Sequence, residues 1–348
     1  MKITTIGLDL AKSVFQLHAV DANGTVVWRK KLRRSAVLDT LAKVPACLVG
    51  MEACATAHYW AREIAGLGHQ VRLMPPSYVK AYLRRQKNDA ADAEAICEAV
   101  RRPTMRFVPV KSAERQAVLV LHRSRELLVR QRTMLINAIR GHCAEFGLIA
   151  AQGVRGACNL IERIGQADNS ILPEMARSVV MLMAEQLHAL VTQIQALNRR
   201  LLAWHRQNED SQRLATIPGV GVISATALVA SVTDPSQFRS GREFAASLGL
   251  VPRQNSSGGK DKLGRISKMG DRYLRKLLVV GATSVVRRAR TSDAPAASWV
   301  RSLLERKPAR LVTVAMANKN ARIIWAVLAR GENYRSPAPS ENNRGAQA

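Results

Sequence analysis

Seven apolar residues, Met183, Leu187, Leu190, Ile194, Leu197, Leu201 and Trp204, follow one another at spacings of four, three, four, three, four and three. Neither a strand nor a loop presents such a series on one face; it is the seam of a helix packed lengthwise against a partner, as in a coiled coil. Residues 113–146 carry a similar signal, with Leu121, Leu128, Leu135 and Ile139 at near-heptad steps and many arginines between them. Residues 147–173 break the pattern. The two helices can pair with each other in a hairpin or across subunits, and the regularity of the seam favours assembly into a homo-oligomer, dimer or tetramer.

The first hundred residues have a different texture. Residues 1–11 alternate and end apolar, which reads as a first, central strand with Asp9 near its carboxyl end and with Gly7 and Ala11 leaving room beside it. Residues 14–20 read as a second strand, and the Asn23-Gly24 turn signal leads into a third over residues 25–32. Glu52 closes a similar run over residues 46–52, and residues 53–67 have the composition of a helix. Ligands collect at the carboxyl ends of strands in open α/β sheets, so Asp9 and Glu52 can converge although far apart in sequence. Asp89 and Asp92 are three apart in a helical segment, hence on one face about one turn apart.

Two strand acids and two helix acids are where an RNase H-like nuclease places the ligands of two hard divalent cations that grip a scissile phosphate. Taken singly, an Asp at a strand end is usually a solvated turn residue, and Asp89 is also a candidate helix N-cap. The acids recur in order at element ends, with strongly basic sequence after them, and this favours the metal site. The chain has seven histidines without HExxH spacing, and its five cysteines, Cys47, Cys54, Cys97, Cys143 and Cys158, have no CxxC spacing. Oxygen-ligated Mg2+ or Mn2+ is therefore expected over zinc, and small core cysteines over a disulfide framework.

Charge names the partner. With 53 Lys+Arg against 26 Asp+Glu the chain carries a net +27, and residues 251–348 alone hold 20 basic against 6 acidic residues. A polyanion is the expected ligand, bound with steep salt dependence. Residues 1–10 run directly into a strand without a signal or transit peptide, and no apolar run approaches a bilayer's thickness. A soluble, cytoplasmic, nucleoid-associated protein is expected.

Two segments of the C-terminal half are built for phosphate. Ile217-Pro218-Gly219-Val220-Gly221 between helical patterns is a helix-hairpin-helix signature, in which Gly219 and Gly221 let backbone N–H groups approach a DNA phosphate; a glycine-rich helix connector is the plainer reading. Residues 249–270 mix Ser256, Ser257 and Ser267 with Arg253, Lys260, Lys262, Arg265 and Lys268. Such a loop suits phosphoryl transfer through a serine, and suits equally a grip on phosphate without a nucleophile.

The joint arrangement of Asp9, Glu52, Asp89-x-x-Asp92, the Ile-Pro-Gly-Val-Gly hairpin and the Pro252-Arg253…Ser256-Ser257-Gly258-Gly259…Gly264-Arg265-Ile266-Ser267-Lys268-Met269-Gly270 segment resembles the DEDD transposases of the IS-one-ten type, bacterial insertion-sequence recombinases. The resemblance runs from about Ile3 to Leu328. It implies an α/β RNase H-like (RuvC-like) N-terminal domain carrying the acid tetrad as metal ligands, and a central α-helical coiled coil. It further implies a mostly α-helical C-terminal domain with the helix-hairpin-helix and a nucleophilic serine, Ser257, with Ser256 second. Donor and target DNA, and a structured non-coding bridge RNA, are the implied partners, with composite sites shared between subunits.

The corresponding division is residues 1–110, 111–210 and 211–334, followed by a tail, 335–348, expected to be disordered. Two rivals stand beside this reading. One is a RuvC-like metal-dependent junction endonuclease that uses water as nucleophile, and the other is a non-enzymatic architectural DNA binder.

Overall fold

The computed structural model describes residues 2–82, 88–166, 172–256, 262–291 and 295–335. The chain divides into two compact units, Met1–Gln116 and Ala117–Ala348.

The first unit is built on a mixed five-stranded sheet of order β3-β2-β1-β4-β5, formed by β1 (Thr5–Asp9), β2 (Val14–Val20), β3 (Val26–Arg33), β4 (Leu48–Glu52) and β5 (Gln70–Met74). β1 runs antiparallel to β2, and β2 to β3, whereas β4 lies parallel to β1 and β5 parallel to β4. Among the described residues, four α-helices accompany it: α1 (Val37–Ala42), α2 (Ala57–Gly66), the short α3 (Pro76–Val79) and α4 (Asp89–Val100). One face of the sheet contributes Ile6, Leu8, Phe15, Leu17, Val49 and Met51 to a core with Leu41, Trp60 and Ile64 of α1 and α2. This follows from the alternation in the sequence, since every second residue of a strand points to the same side.

The opposite face carries α4, and glycine decides how close it comes. A Cβ on Gly7 would run into the Ala93 carbonyl oxygen and the Cys97 backbone nitrogen, and one on Gly50 would lie 2.7 Å from Cβ of Val100. The helix therefore rests on bare backbone at the centre of the sheet.

Among the described residues, the regular structure of the second unit is helical apart from one strand pair. Its long helices are α5 (Ala113–Ala144), which begins at the end of the first unit, and α7 (Glu174–Gln207). Between them lies α6 (Gly153–Gln166), inside the stretch 147–173 that the sequence pattern marks as a break. Its Gly153, Gly156 and Gly165 read as punctuation, yet Gly156 is a packing residue whose Cβ would strike the Ala151 carbonyl. α5 and α7 run antiparallel within one chain: Val118 meets Leu201, Arg125 Nε donates to Asn198 Oδ1 at 2.6 Å, and Ile136 shares a cluster with Val180 and Leu187. Only alternate seam residues, Leu187, Ile194 and Leu201, are buried; Met183, Leu190, Leu197 and Trp204 are half-buried.

The remaining helices are α8 (Glu209–Ala215), α9 (Val222–Ser231), α10 (Gly241–Ser247), α11 (Arg272–Arg288), α12 (Pro295–Leu304) and α13 (Ala309–Arg330). They enclose the largest core, which includes Phe244, Leu278, Ala317 and Ile324. Strands β6 (Pro252–Gln254) and β7 (Leu263–Ile266) form an exposed antiparallel pair.

Candidate metal centre and nucleic-acid surfaces

Asp9 is the last residue of β1 and Glu52 the last of β4, both half-buried. The two strands are parallel neighbours paired as far as Leu8 and Met51, so the acids leave the sheet side by side at its carboxyl edge. Asp89 and Asp92 occupy the first turn of α4, where unpaired backbone N–H groups favour negative charge. The N-cap is not Asp89 but Asn88, whose side-chain oxygen accepts from the Ala90 N–H at 3.0 Å. That arrangement frees Asp89 for another task.

Carboxylate oxygens of Asp9, Asp89 and Asp92 all lie within 4.8 Å of one another. Glu52 falls outside that tight group. Its carboxyl is nevertheless pushed above its ordinary pKa, by burial first and then by the charges of Asp9 and Asp92. Beside it, the Cys54 thiol is raised as well, by desolvation and then by the charge of Glu52.

The donor set fits a divalent cation. It consists of hard carboxylate oxygens without imidazole or thiolate in the cluster, and mutual repulsion of this sense is what a bound dication relieves. The cysteines are free.

In the second unit, Gly219 has φ +86° and lies against α11: a Cβ would come 2.9 Å from the Gly281 carbonyl oxygen and 2.9 Å from Cγ2 of Val285. In turn, a Cβ on Gly281 would overlap the Gly219 carbonyl. The glycine demanded by the hairpin motif is thus explained first by packing. Gly281, which no motif marks, is its counterpart. Gly221 is exposed and precedes the first turn of α9 with open space around it, so its position permits close approach of a ligand.

On the hairpin of β6 and β7, Arg253, Lys262 and Arg265 are exposed, and the Arg253 guanidinium donates to the Ser267 carbonyl. Lys268 follows with φ +56°, a left-handed conformation rare for a lysine, and its N–H donates to the Gly249 carbonyl. Ser256 is described and exposed, whereas Ser257 and Lys260 lie outside the described residues, as does the tail from residue 336. Among the described residues no helix is long and apolar enough to cross a membrane.

Comparison with known proteins gives a consistent assignment. Residues 6–146 match the IS110 DEDD transposase family, described as "Transposase", and residues 211–297 match the "Transposase IS116/IS110/IS902 family". A Pseudomonas aeruginosa protein described as "Probable family 20 transposase" is 51% identical over 336 residues, covering 96% of this chain and 99% of that relative. The transposase for insertion sequence element IS1111A of Coxiella burnetii is 41% identical, covering 97% of this chain and 92% of that relative. The transposase for insertion sequence element IS1328 of Yersinia enterocolitica is 40% identical, covering 94% and 98% respectively. The mixed sheet, the helical remainder and the acids gathered at the sheet's carboxyl edge accord with that match, and the chain belongs to the IS116/IS110/IS902 family of insertion-sequence DNA transposases.

Proposed function

We propose that this transposase cuts and rejoins donor and target DNA with a RuvC-like acid site and a serine nucleophile. The observation that carries the reading is the convergence of Asp9, Asp89 and Asp92, from two elements far apart in sequence, at one end of the sheet beside Glu52. The tetrad Asp9, Glu52, Asp89 and Asp92 would hold Mg2+ or Mn2+, which when bound supplies Lewis-acid stabilisation of phosphate oxygens. Asp9 and Glu52 are fixed by paired strands, and Asp89 and Asp92 by a helix seated on Gly7 and Gly50, so the carboxylates keep their positions as substrate arrives.

In the cleavage step, Ser257 Oγ gives up its proton and forms a bond to phosphorus while the bond to one sugar oxygen breaks and that oxygen takes up a proton. In rejoining, a sugar hydroxyl attacks the serine phosphodiester and the serine leaves as its hydroxyl. The serine phosphodiester conserves the bond for resealing, so no nucleotide cofactor is required. Arg253, Lys260, Lys262, Arg265 and Lys268 would offset the phosphate charge during this exchange. Gly219 and Gly221 would present the hairpin and the first turn of α9 to the DNA backbone, fixing register without reading sequence.

The half-buried seam residues of α7 support a coiled-coil contact between subunits. Leu190 lines an open groove with Met134, Leu135 and Ala138, and Met134 is 64% exposed. A homo-oligomer with sites composed from two subunits, directed by a structured bridge RNA, follows from the family resemblance.

A second reading is favoured by one observation: the acid cluster lies wholly within the first unit. A water molecule in place of Ser257 would make the protein a junction endonuclease. Two variants separate the possibilities. Asp92→Asn should abolish cleavage in Mg2+ while leaving DNA binding intact, and full activity would remove the acid site. Ser257→Ala should abolish cleavage together with the covalent protein–DNA adduct seen on denaturing a stalled reaction. Cleavage that survives in Ser257→Ala without an adduct would leave the endonuclease.

A further inference from the structure

The register of the sheet extends the acid row to its outer strand. Asp9 on β1 is paired with Gln16 on β2, and Gln16 is paired with Lys31 on β3. Directly paired residues of antiparallel strands point to the same face, so Asp9, Gln16 and Lys31 form one row across the sheet. Two strand spacings put Lys31 about 10 Å from Asp9, backbone to backbone.

The face is the one that carries α4. Gly7, two residues before Asp9, lies under Ala93 and Cys97, and Arg29, two residues before Lys31, reaches Glu94 of α4 at 3.4 Å. Arg33, two residues beyond Lys31, is paired with Val14 and lies at the same end of the sheet as the acids, because β3 runs in the direction of β1.

These cations differ from their neighbours. Arg29 is engaged by Glu94 and by His18 Nδ1, to which its Nε donates at 3.3 Å. Lys30 is on the opposite face, its Nζ 4.2 Å from the centre of the Trp28 ring. Lys31 and Arg33 are exposed and have no ion pair among the described residues. α4 makes its main contacts with β1, β2 and β4, and it reaches β3 through the pair of Glu94 with Arg29. Lysines on an edge strand also discourage edge-to-edge pairing. That task would be met equally by Lys30 and does not require cations aligned with Asp9.

We propose that Gln16, Lys31 and Arg33 form a phosphate track that holds the DNA strand on the approach to the acid site. The inference rests on the cleavage reading above for its direction, since the track points at Asp9. Gln16 would donate amide N–H groups to a phosphate oxygen next to the site, and Lys31 and Arg33, about 7 Å apart along the strand, would each take a phosphate farther out. A strand lying along this row would meet cations first and carboxylates last, so the acids receive DNA already paired with positive charge.

The test compares full-length wild-type protein with Lys31→Gln/Arg33→Gln and with Lys30→Gln, in EDTA so that no strand is cut. Binding of a DNA duplex is measured against salt, with an RNA hairpin as the second probe and circular dichroism melting as the check on folding. The double variant should bind DNA on the order of tenfold more weakly. Its salt dependence should be shallower by about 1.8, that is, about 0.9 for each of the two phosphates no longer neutralised, while Lys30→Gln stays within about twofold of wild type.

An unchanged slope in the double variant, an equal loss in Lys30→Gln, or a loss confined to the RNA probe would each overturn the track. Failure of the cleavage reading would register elsewhere, in the Mg2+ assay of Asp92→Asn, because the binding experiment contains no free divalent ion.

Discussion

Gly7 on β1 lies directly beneath the backbone nitrogen of Cys97 on α4, with no space for a Cβ between them. The contact is backbone against backbone, so no rotamer change can relieve an added methyl group. Gly7→Ala should therefore lift α4 from the sheet, lowering stability by about 1–3 kcal/mol and separating Asp89 and Asp92 from Asp9. Urea unfolding and Mg2+-dependent cleavage measured together check this, and a variant with wild-type stability and cleavage would contradict it.

His122 gives a pH dependence. It is 1% exposed, and its Nε2 and Nδ1 lie 3.0 Å from Thr226 Oγ1 and 3.0 Å from Tyr273 Oη. The Thr226 hydroxyl donates to the Val222 carbonyl at 2.7 Å, so it accepts from the Nε2–H of a neutral ring, and Tyr273 donates to Nδ1. Burial, then the charge of Arg125, pushes the imidazole pKa down to about 4 from 6.5. The neutral form is thus favoured in the fold, and the unfolded chain binds the extra proton between those values. The contribution, on the order of 3 kcal/mol, is fully present above pH 6.5 and is lost as pH falls toward 4. His122→Gln should be less stable at about pH 7.5 and should flatten the loss across that window, read as urea midpoints. A wild-type pH slope in the variant would refute it.

Along α7 the two kinds of seam position should behave differently. Leu187 is 2% exposed, and Leu187→Ala should destabilise the chain by about 2–5 kcal/mol. Leu190 is half-buried on the open groove, so Leu190→Asp should leave the fold standing and shift light scattering to smaller species. An unchanged mass for Leu190→Asp would mean that the seam closes within one chain.

The crossing of Gly281 and Gly219 predicts that Gly281→Ala displaces the Pro218-Gly219 turn, because the new methyl group would overlap the Gly219 carbonyl. A stability loss of about 1–3 kcal/mol and weaker DNA binding are expected. Retained stability in thermal melts would argue that the turn is free to move.

The local pattern of the sequence reaches as far as local physics does. Alternation marked the strands that end at Asp9 and Glu52, and a spacing of three put Asp89 and Asp92 on one helix turn. The heptad series marked α7. β5, five residues long, is too short to stand out between Gly68 and Pro75, and α6 is hidden by its own glycines. What the pattern cannot give is proximity: that Gly7 and Gly50 seat α4, that Gly219 meets Gly281, or that Leu187, Ile194 and Leu201 of the seam are buried within the chain. These depend on partners far along the chain, where periodicity carries no information. Ser257 remains an assignment from the family resemblance.

The crowding of Asp9, Asp89 and Asp92 makes thermal denaturation an ion gauge. Carboxylates held this close oppose folding unless a cation joins them, so the melting midpoint should climb with the logarithm of Mg2+ concentration. Neutralising one member, as in Asp92→Asn, should raise the midpoint in EDTA and flatten that climb. The geometry proposed for cutting would therefore also tie the protein's thermal stability to the divalent-ion content of its surroundings.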